Sequence, residues 1–141
     1  MIKLIVPLAV VASMLACGGG SVDARAIRLE WQSRAPSSYV ARECETGFSA
    51  PFCTASAVQS FEPIETWQRD LKGDWSPSDS LIDPVELIIS SLEHNRGCDE
   101  RATLDETYGY PASTHFDCGE EGYGYKVDCF VDDTVDVSRC R

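Results

Sequence analysis

Seven cysteines stand along the chain, at Cys17, Cys44, Cys53, Cys98, Cys118, Cys129 and Cys140. Their placement constrains the fold more than any other feature. Six of them follow a stretch that reads as an export signal, and an even set of cysteines in an exported domain implies three disulfides made in an oxidising compartment. Metal binding is the rival reading. The chain has no Cys-x-x-Cys, however, and His94 and His115 stand in no ligand spacing with the cysteines, so neither a metal nor any other cofactor is expected.

Residues 1–16 carry one positive charge, at Lys3, and then run uncharged to Ala16. The segment is too short to span a bilayer and has the basic start and small-residue end that the secretory machinery reads. Two cleavage sites compete. Ser13-Met14-Leu15-Ala16-Cys17 looks like a bacterial lipobox whose cysteine is acylated, and Ala24-Arg25-Ala26 offers a small-x-small site to the ordinary signal peptidase. The lipobox is favoured because Gly18-Gly19-Gly20-Ser21 follows it as a flexible tether. The expected organisation is a lipoprotein-type signal peptide over 1–16, the lipid-attachment residue Cys17 with its tether over 17–26, and one disulfide-stapled domain over 27–141. Such a protein is anchored in the bacterial cell envelope and faces the periplasm or the cell exterior. A secreted soluble protein is the alternative.

The chain carries 23 acidic residues against 12 Lys and Arg, a net charge of −11. A surface of that sign argues against nucleic acid as a partner. The membrane is reached through the lipid anchor, and an envelope protein or glycan is the partner class left open.

The clearest local element is a helix from Asp83 to Arg96. Asp83 can cap it, Pro84 suits the first turn, and Glu86 completes an Asp-x-x-Glu box. Val85, Ile88, Ile89 and Leu92 then fall on one stripe, and Gly97 suits the end. Around it, a strand ending near Cys44, a returning strand over residues 55–61, and three β-rich runs over residues 102–104, 112–116 and 123–131 predict an antiparallel sheet. Residues 62–80 read as irregular. The expected fold is α+β, with four to five strands packed on one main helix and three disulfides.

Hairpin register narrows the disulfide pairing. If the strands flanking Tyr108-Gly109-Tyr110-Pro111 pair around a turn centred on Tyr108, Cys98 faces Cys118 at bridging distance; a turn centred on Gly109 would offset them by about two positions. Cys44 and Cys53 flank the first turn and are expected to pair locally, which leaves Cys129 to hold the tail through Cys140.

The run Leu104-Asp105-Glu106-Thr107-Tyr108-Gly109-Tyr110-Pro111, with His115-Phe116-Asp117 and then Gly124-Tyr125-Lys126-Val127 and Phe130, resembles a family of bacterial secreted and lipid-anchored domains of unknown function, the one numbered 6174. The likeness covers about residues 80–131. Cys98, Cys118 and Cys129 are additions to the family pattern within that half, and residues 55–79 match it poorly. The resemblance implies a small α+β domain and an exported location. It brings no activity, cofactor or catalytic residue.

The remaining residues offer several chemistries. The acidic residues beyond the helix, from Asp99 to Asp136, invite calcium, but the Asp-x-Asp-x-Asp-Gly spacing is absent and a solvated acidic face explains them. No Gly-x-Ser-x-Gly is present, and His94 and His115 are explained by a helix end and a strand. Tyr108, Tyr110, Tyr123 and Tyr125 form the candidate binding surface, although cross-strand aromatic packing accounts for them equally. The reading is a non-enzymatic binding or structural module of the envelope. An extracytoplasmic hydrolase and a disulfide-braced inhibitor of a secreted enzyme are the alternatives.

Overall fold

The computed structural model describes residues 22–47, 52–94, 97–119 and 122–141; Cys17 and the expected signal segment lie outside them. The chain order is α1 (Ala24–Arg34), β1 (Ser38–Thr46), β2 (Cys53–Gln59), β3 (Glu62–Arg69), β4 (Trp75–Pro77), α2 (Pro84–Glu93), β5 (Asp99–Leu104), β6 (Pro111–Asp117) and β7 (Gly122–Asp132). The strands make one antiparallel sheet in the order β4-β3-β2-β1-β7-β6-β5. The domain is therefore mostly β, with seven strands and two short helices. The expected four to five strands on one main helix are corrected on both counts.

The extra strands come from the region that read as irregular. In β3 only Thr66 is buried, so no apolar alternation marks it in the sequence. The turn into it is equally hard to see. Ser60 and Phe61 take φ of 50° and 64°, a turn that two-residue hairpins favour and that Asn or Gly would normally advertise. The second helix, α1, begins upstream of the expected Ile27 boundary, where Asp23 accepts a hydrogen bond from Ala26 N at 3.1 Å. Its buried residues Ala24, Ile27 and Trp31 repeat at helical spacing within an otherwise polar segment.

Element α2 sits where its capping residues place it. The Asp83 carboxylate accepts from Val85 N at 3.0 Å and Glu86 N at 3.4 Å, and the helix ends on the cap residue His94. Residues 95 and 96 of the expected helix lie outside the described residues.

Strand alternation sorts the core into two layers. Tyr39 and Ala41 of β1, with Val58, Phe116 and Val127, pack beneath Ile27 and Trp31 of α1 and Val85, Ile88, Ile89 and Leu92 of α2. Val40, Ala55 and Ala57 face the other way, under Val137 and Cys140 of the C-terminal tail. The helices are clamped together by Arg28, which donates to Glu86 at 2.6 Å and to Glu93 at 2.5 Å. Both carboxylates hold the guanidinium's proton more firmly than water does. No helix among the described residues is long and apolar enough to cross a membrane.

The three disulfides are Cys44–Cys53, Cys98–Cys118 and Cys129–Cys140. Cys44 and Cys53 face each other across β1 and β2. In the second hairpin, Asp99 faces Asp117 and Arg101 faces His115, the register of a turn centred on Tyr108, and it persists until a bulge between Thr103 and Leu104. One step outward, Cys98 meets Cys118 with Cα atoms 4.4 Å apart.

The layering predicts a contrast between two truncations. Ile88→Ala removes a fully buried side chain and is expected to cost about 2–5 kcal/mol. Leu29→Ala, on α1 at 59% exposure, is expected to stay within about 0.5 kcal/mol of the parent. Denaturant melts of both variants measure this, and equal costs would contradict the assignment of helix faces.

Candidate functional site

The four tyrosines singled out by sequence are divided between the two ends of the sheet. Tyr108 and Tyr110 belong to the turn between β5 and β6, and their rings are used inside the protein. Tyr110 is 7% exposed and stacks on Phe130 at 4.6 Å, with Trp31 edge-on at 5.9 Å. The Tyr108 hydroxyl donates to Asp132 at 2.6 Å. Asp105 shapes the turn by accepting from Thr107 N at 3.1 Å and Tyr108 N at 2.7 Å. Gly109 has φ of 75° and lies so close beneath α1 that a Cβ there would stand 2.8 Å from Glu30 Cγ. Arg34 then donates to Thr107 O at 2.6 Å, so the Tyr-Gly-Tyr-Pro turn is fastened to the first helix.

Tyr123 and Tyr125 stand at the opposite end, where Cys44–Cys53 and Cys98–Cys118 brace the strand termini. Tyr123 is 45% exposed and stacks on the buried Phe116 at 4.9 Å. Tyr125 meets Tyr123 at 90° and Phe116 at 84°, both with centroids 6.3 Å apart. The result is a right-angled aromatic corner with an apolar backing.

Carboxylates flank this corner. Glu45 of β1 lies directly opposite Tyr125, and Glu100 of β5 lies directly opposite Phe116. Glu43, one inward-facing position before Glu45, is 1% exposed, and its Oε2 has no hydrogen-bond partner. Glu100 Oε2 is likewise buried without one. Burial, reinforced by Glu45 and Asp128, pushes the Glu43 carboxyl up to about 8. Burial also raises the Tyr125 hydroxyl, and the charges of Glu45 and Glu43 add to that rise, which puts both within electrostatic reach of its ring.

A second buried acid is fully engaged. Asp83 accepts from the Tyr39 hydroxyl at 2.6 Å in addition to its capping bonds. Its carboxyl is raised by burial against the pull of those donors, and the Tyr39 hydroxyl is raised by burial and by Asp83. This pair ties β1 to the start of α2.

The histidines are not brought together. His94 caps α2 with Nδ1 2.7 Å from Ser90 O, and His115 lies exposed on β6 with its ring over Gly122. Among the described residues, no group of three or more His, Cys, Asp or Glu residues could hold a metal ion. On the other sheet face Arg42 pairs with Asp128 at 2.7 Å, and Arg141 lies 3.9 Å over the Trp67 ring, holding the tail down beside Cys129–Cys140. Neither a protein-family model nor a curated protein matches this chain.

Glu43, Glu100 and Phe116 stand beside the tyrosines in the fold although no sequence motif joins them. A signal for Glu43 was present, since Tyr39, Ala41 and Glu43 alternate onto one face of a strand whose first two members are apolar.

The Glu43 shift carries a pH dependence with a definite sign. The folded carboxyl keeps its proton up to about 8, whereas the unfolded chain loses it near 4.5. Stability is therefore fully present below the lower value and falls as pH rises towards the upper one, by at most about 1.4 kcal/mol per pH unit. Glu43→Gln is expected to remove this decline and to be more stable than the parent at the upper end of the window. Melts across the window measure it; parallel profiles for the two proteins would contradict the assignment.

Proposed function

We propose that this chain is a lipid-anchored bacterial envelope protein whose disulfide-stapled domain serves as a non-enzymatic binding or structural module. The observation that carries the reading is the use of the cysteines. Three bridges consume Cys44, Cys53, Cys98, Cys118, Cys129 and Cys140, and the remaining one of seven is Cys17, in the stretch that looks like a lipobox. Such bridges persist in oxidising compartments, which supports an extracytoplasmic location. The glycine tether after Cys17 supports a domain that stands off the bilayer.

The division of labour among the aromatic residues supports a binding or structural role. The Tyr-Gly-Tyr-Pro turn, which carries the resemblance to the family numbered 6174, acts as a fastener between β5, β6 and α1. Membership in that family belongs to the same proposal, and it adds the expectation of export without adding an activity.

Two measurements test the reading. The mature protein is expected to begin at Cys17 and to carry diacylglycerol and acyl mass by intact mass spectrometry, and Cys17→Ser is expected to move it from the membrane to the soluble fraction. A mature chain beginning at Ile27, or unchanged partitioning of Cys17→Ser, would overturn the anchor. An envelope component retained specifically on the immobilised protein is the outcome expected of a binding module.

A further inference from the structure

We propose that the Cys44–Cys53 bridge is a thiol–disulfide exchange site, opened by a dithiol whose thiolate attacks Cys44 and expels Cys53 as a thiolate paired with Arg69. The inference goes beyond the module reading and does not depend on the lipid anchor.

The two sulfurs of this bridge stand in opposite electrostatic surroundings. Cys53 Sγ accepts from Arg69 Nη2 at 3.0 Å. Register sets the guanidinium in place, since Arg69 faces Cys53 on one side and Trp75 on the other, and it lies 5.6 Å over the Trp75 ring. No carboxylate among the described residues pairs with it. A bridge sulfur is only a weak acceptor, so the closed form gives this cation little; a Cys53 thiolate would meet it with a full charge. At the other sulfur, Asp128 Oδ2 lies 3.7 Å from Cys44 Sγ and is itself held by Arg42 at 2.7 Å. A carboxylate there opposes a thiolate at Cys44 and accepts a hydrogen bond from its thiol.

Cys129–Cys140 has no such polarity. Cys129 Sγ lies 3.5 Å from Arg139 O and Cys140 Sγ 3.6 Å from Val40 O, and a carbonyl oxygen stabilises no thiolate. Access to Cys44–Cys53 follows the same direction as its charges. Cys53 is closed to solvent, whereas Cys44 keeps 7% exposure just ahead of the exposed Glu45 and Thr46 at the end of β1. Both cysteines point to the sheet face away from the helices, and the exposed Lys126, directly opposite Cys44 on β7, lies on that face too. An ammonium group there draws an anionic thiolate towards Cys44.

The attacking thiolate forms a bond to Cys44 Sγ, the Cys44–Cys53 bond breaks, and its electron pair leaves on Cys53 Sγ. A monothiol stops there, and the neighbouring Cys53 thiolate attacks Cys44 in turn and expels it. A dithiol goes on. Its second thiolate attacks its own bonded sulfur, closes a disulfide and releases Cys44, which takes a proton. The dithiol loses two electrons and the bridge gains them; of the two thiol protons, one ends on Cys44 and one in solvent. An Arg69–Cys53 ion pair then stands where the covalent bond stood.

The test uses the full chain with its disulfides intact, without denaturant, and follows each bridge by alkylation and mass mapping. Excess glutathione at neutral pH, quenched with acid, is expected to be trapped on Cys44 with Cys53 free. Dithiothreitol is expected to open Cys44–Cys53, with Arg69→Met slowing that bridge about tenfold, Arg69→Lys restoring most of the rate, and the other two bridges unchanged. Reduced thioredoxin tells the sources apart: opening by both reagents admits protein dithiols, opening by dithiothreitol alone restricts the site to small ones, and both outcomes support it. Circular dichroism reports the folding of each variant, and the trapping arm needs only the parent, so it decides even where Arg69→Met fails to fold. Glutathione trapped on Cys53 or on neither sulfur would overturn the proposal. So would a Cys44–Cys53 bridge that stays closed, an Arg69→Met rate equal to or above the parent's, or equal slowing of all three bridges.

Discussion

Strand β1 is covered from both sides, and the rest of the domain depends on it. It lies fourth of seven in the sheet, between β2 and β7, and so joins the β1–β4 meander to the β5–β7 meander. Its inward positions on one face, Tyr39 and Ala41, lie beneath both helices. On the other face Val40 lies beneath the C-terminal tail, and Cys44 is bridged to Cys53. From Tyr39 to Cys44 the strand has little solvent contact on either face, so a polar residue there needs a local partner or raises the free energy of the fold. Arg42 meets this demand with Asp128 and the carbonyl of Cys140, and Tyr39 with Asp83. Glu43 Oε2 does not meet it.

The two ends of the sheet are held by different means. At the Tyr108 end, Asp105 and Arg34 hold the turn and the aromatic rings are spent on packing around Phe130, while Trp31 Nε1 is buried without a hydrogen-bond partner. At the Tyr123 end, two disulfides replace such packing as the means of holding the strand termini. A covalent brace leaves side chains free for contacts outside the domain. Tyr123 is accordingly exposed on the buried ring of Phe116, and Glu100 on β5 is level with it. Aromatic packing and covalent bracing thus hold opposite ends of one sheet face.

The parts of this fold that were legible in the sequence are those whose signal is local. Asp83, Pro84 and the Val85 to Leu92 stripe define α2 through capping and a helical period, and both lie within a few turns of chain. The β5–β6 register followed from a turn whose residues mark its centre, and with it came the facing of Cys98 and Cys118. The missing parts are set by tertiary context. β3 has almost no apolar alternation because only Thr66 is buried, and its hydroxyl bonds Ser56 at 2.9 Å instead of packing on oil. β4 spans only Trp75–Pro77 and exists because β3 offers it an edge. α1 shows two strongly buried anchors, Ile27 and Trp31, amid polar residues, too sparse a stripe to announce a helix. The four tyrosines read as one cluster because they are close in sequence, but the strands carry two of them to each end.

Native-state hydrogen exchange tests the dependence on β1 most directly. The account predicts that the amides of Val40, Ala41 and Arg42, hydrogen-bonded within the sheet and covered on both faces, exchange only through global unfolding. Their opening free energies would then match the stability from denaturant melts and fall with denaturant at the same slope. Exchange of these amides through a low-energy local opening, while the β5–β6 hairpin stays protected, would show that the two-sided cover of β1 is not what holds the domain together.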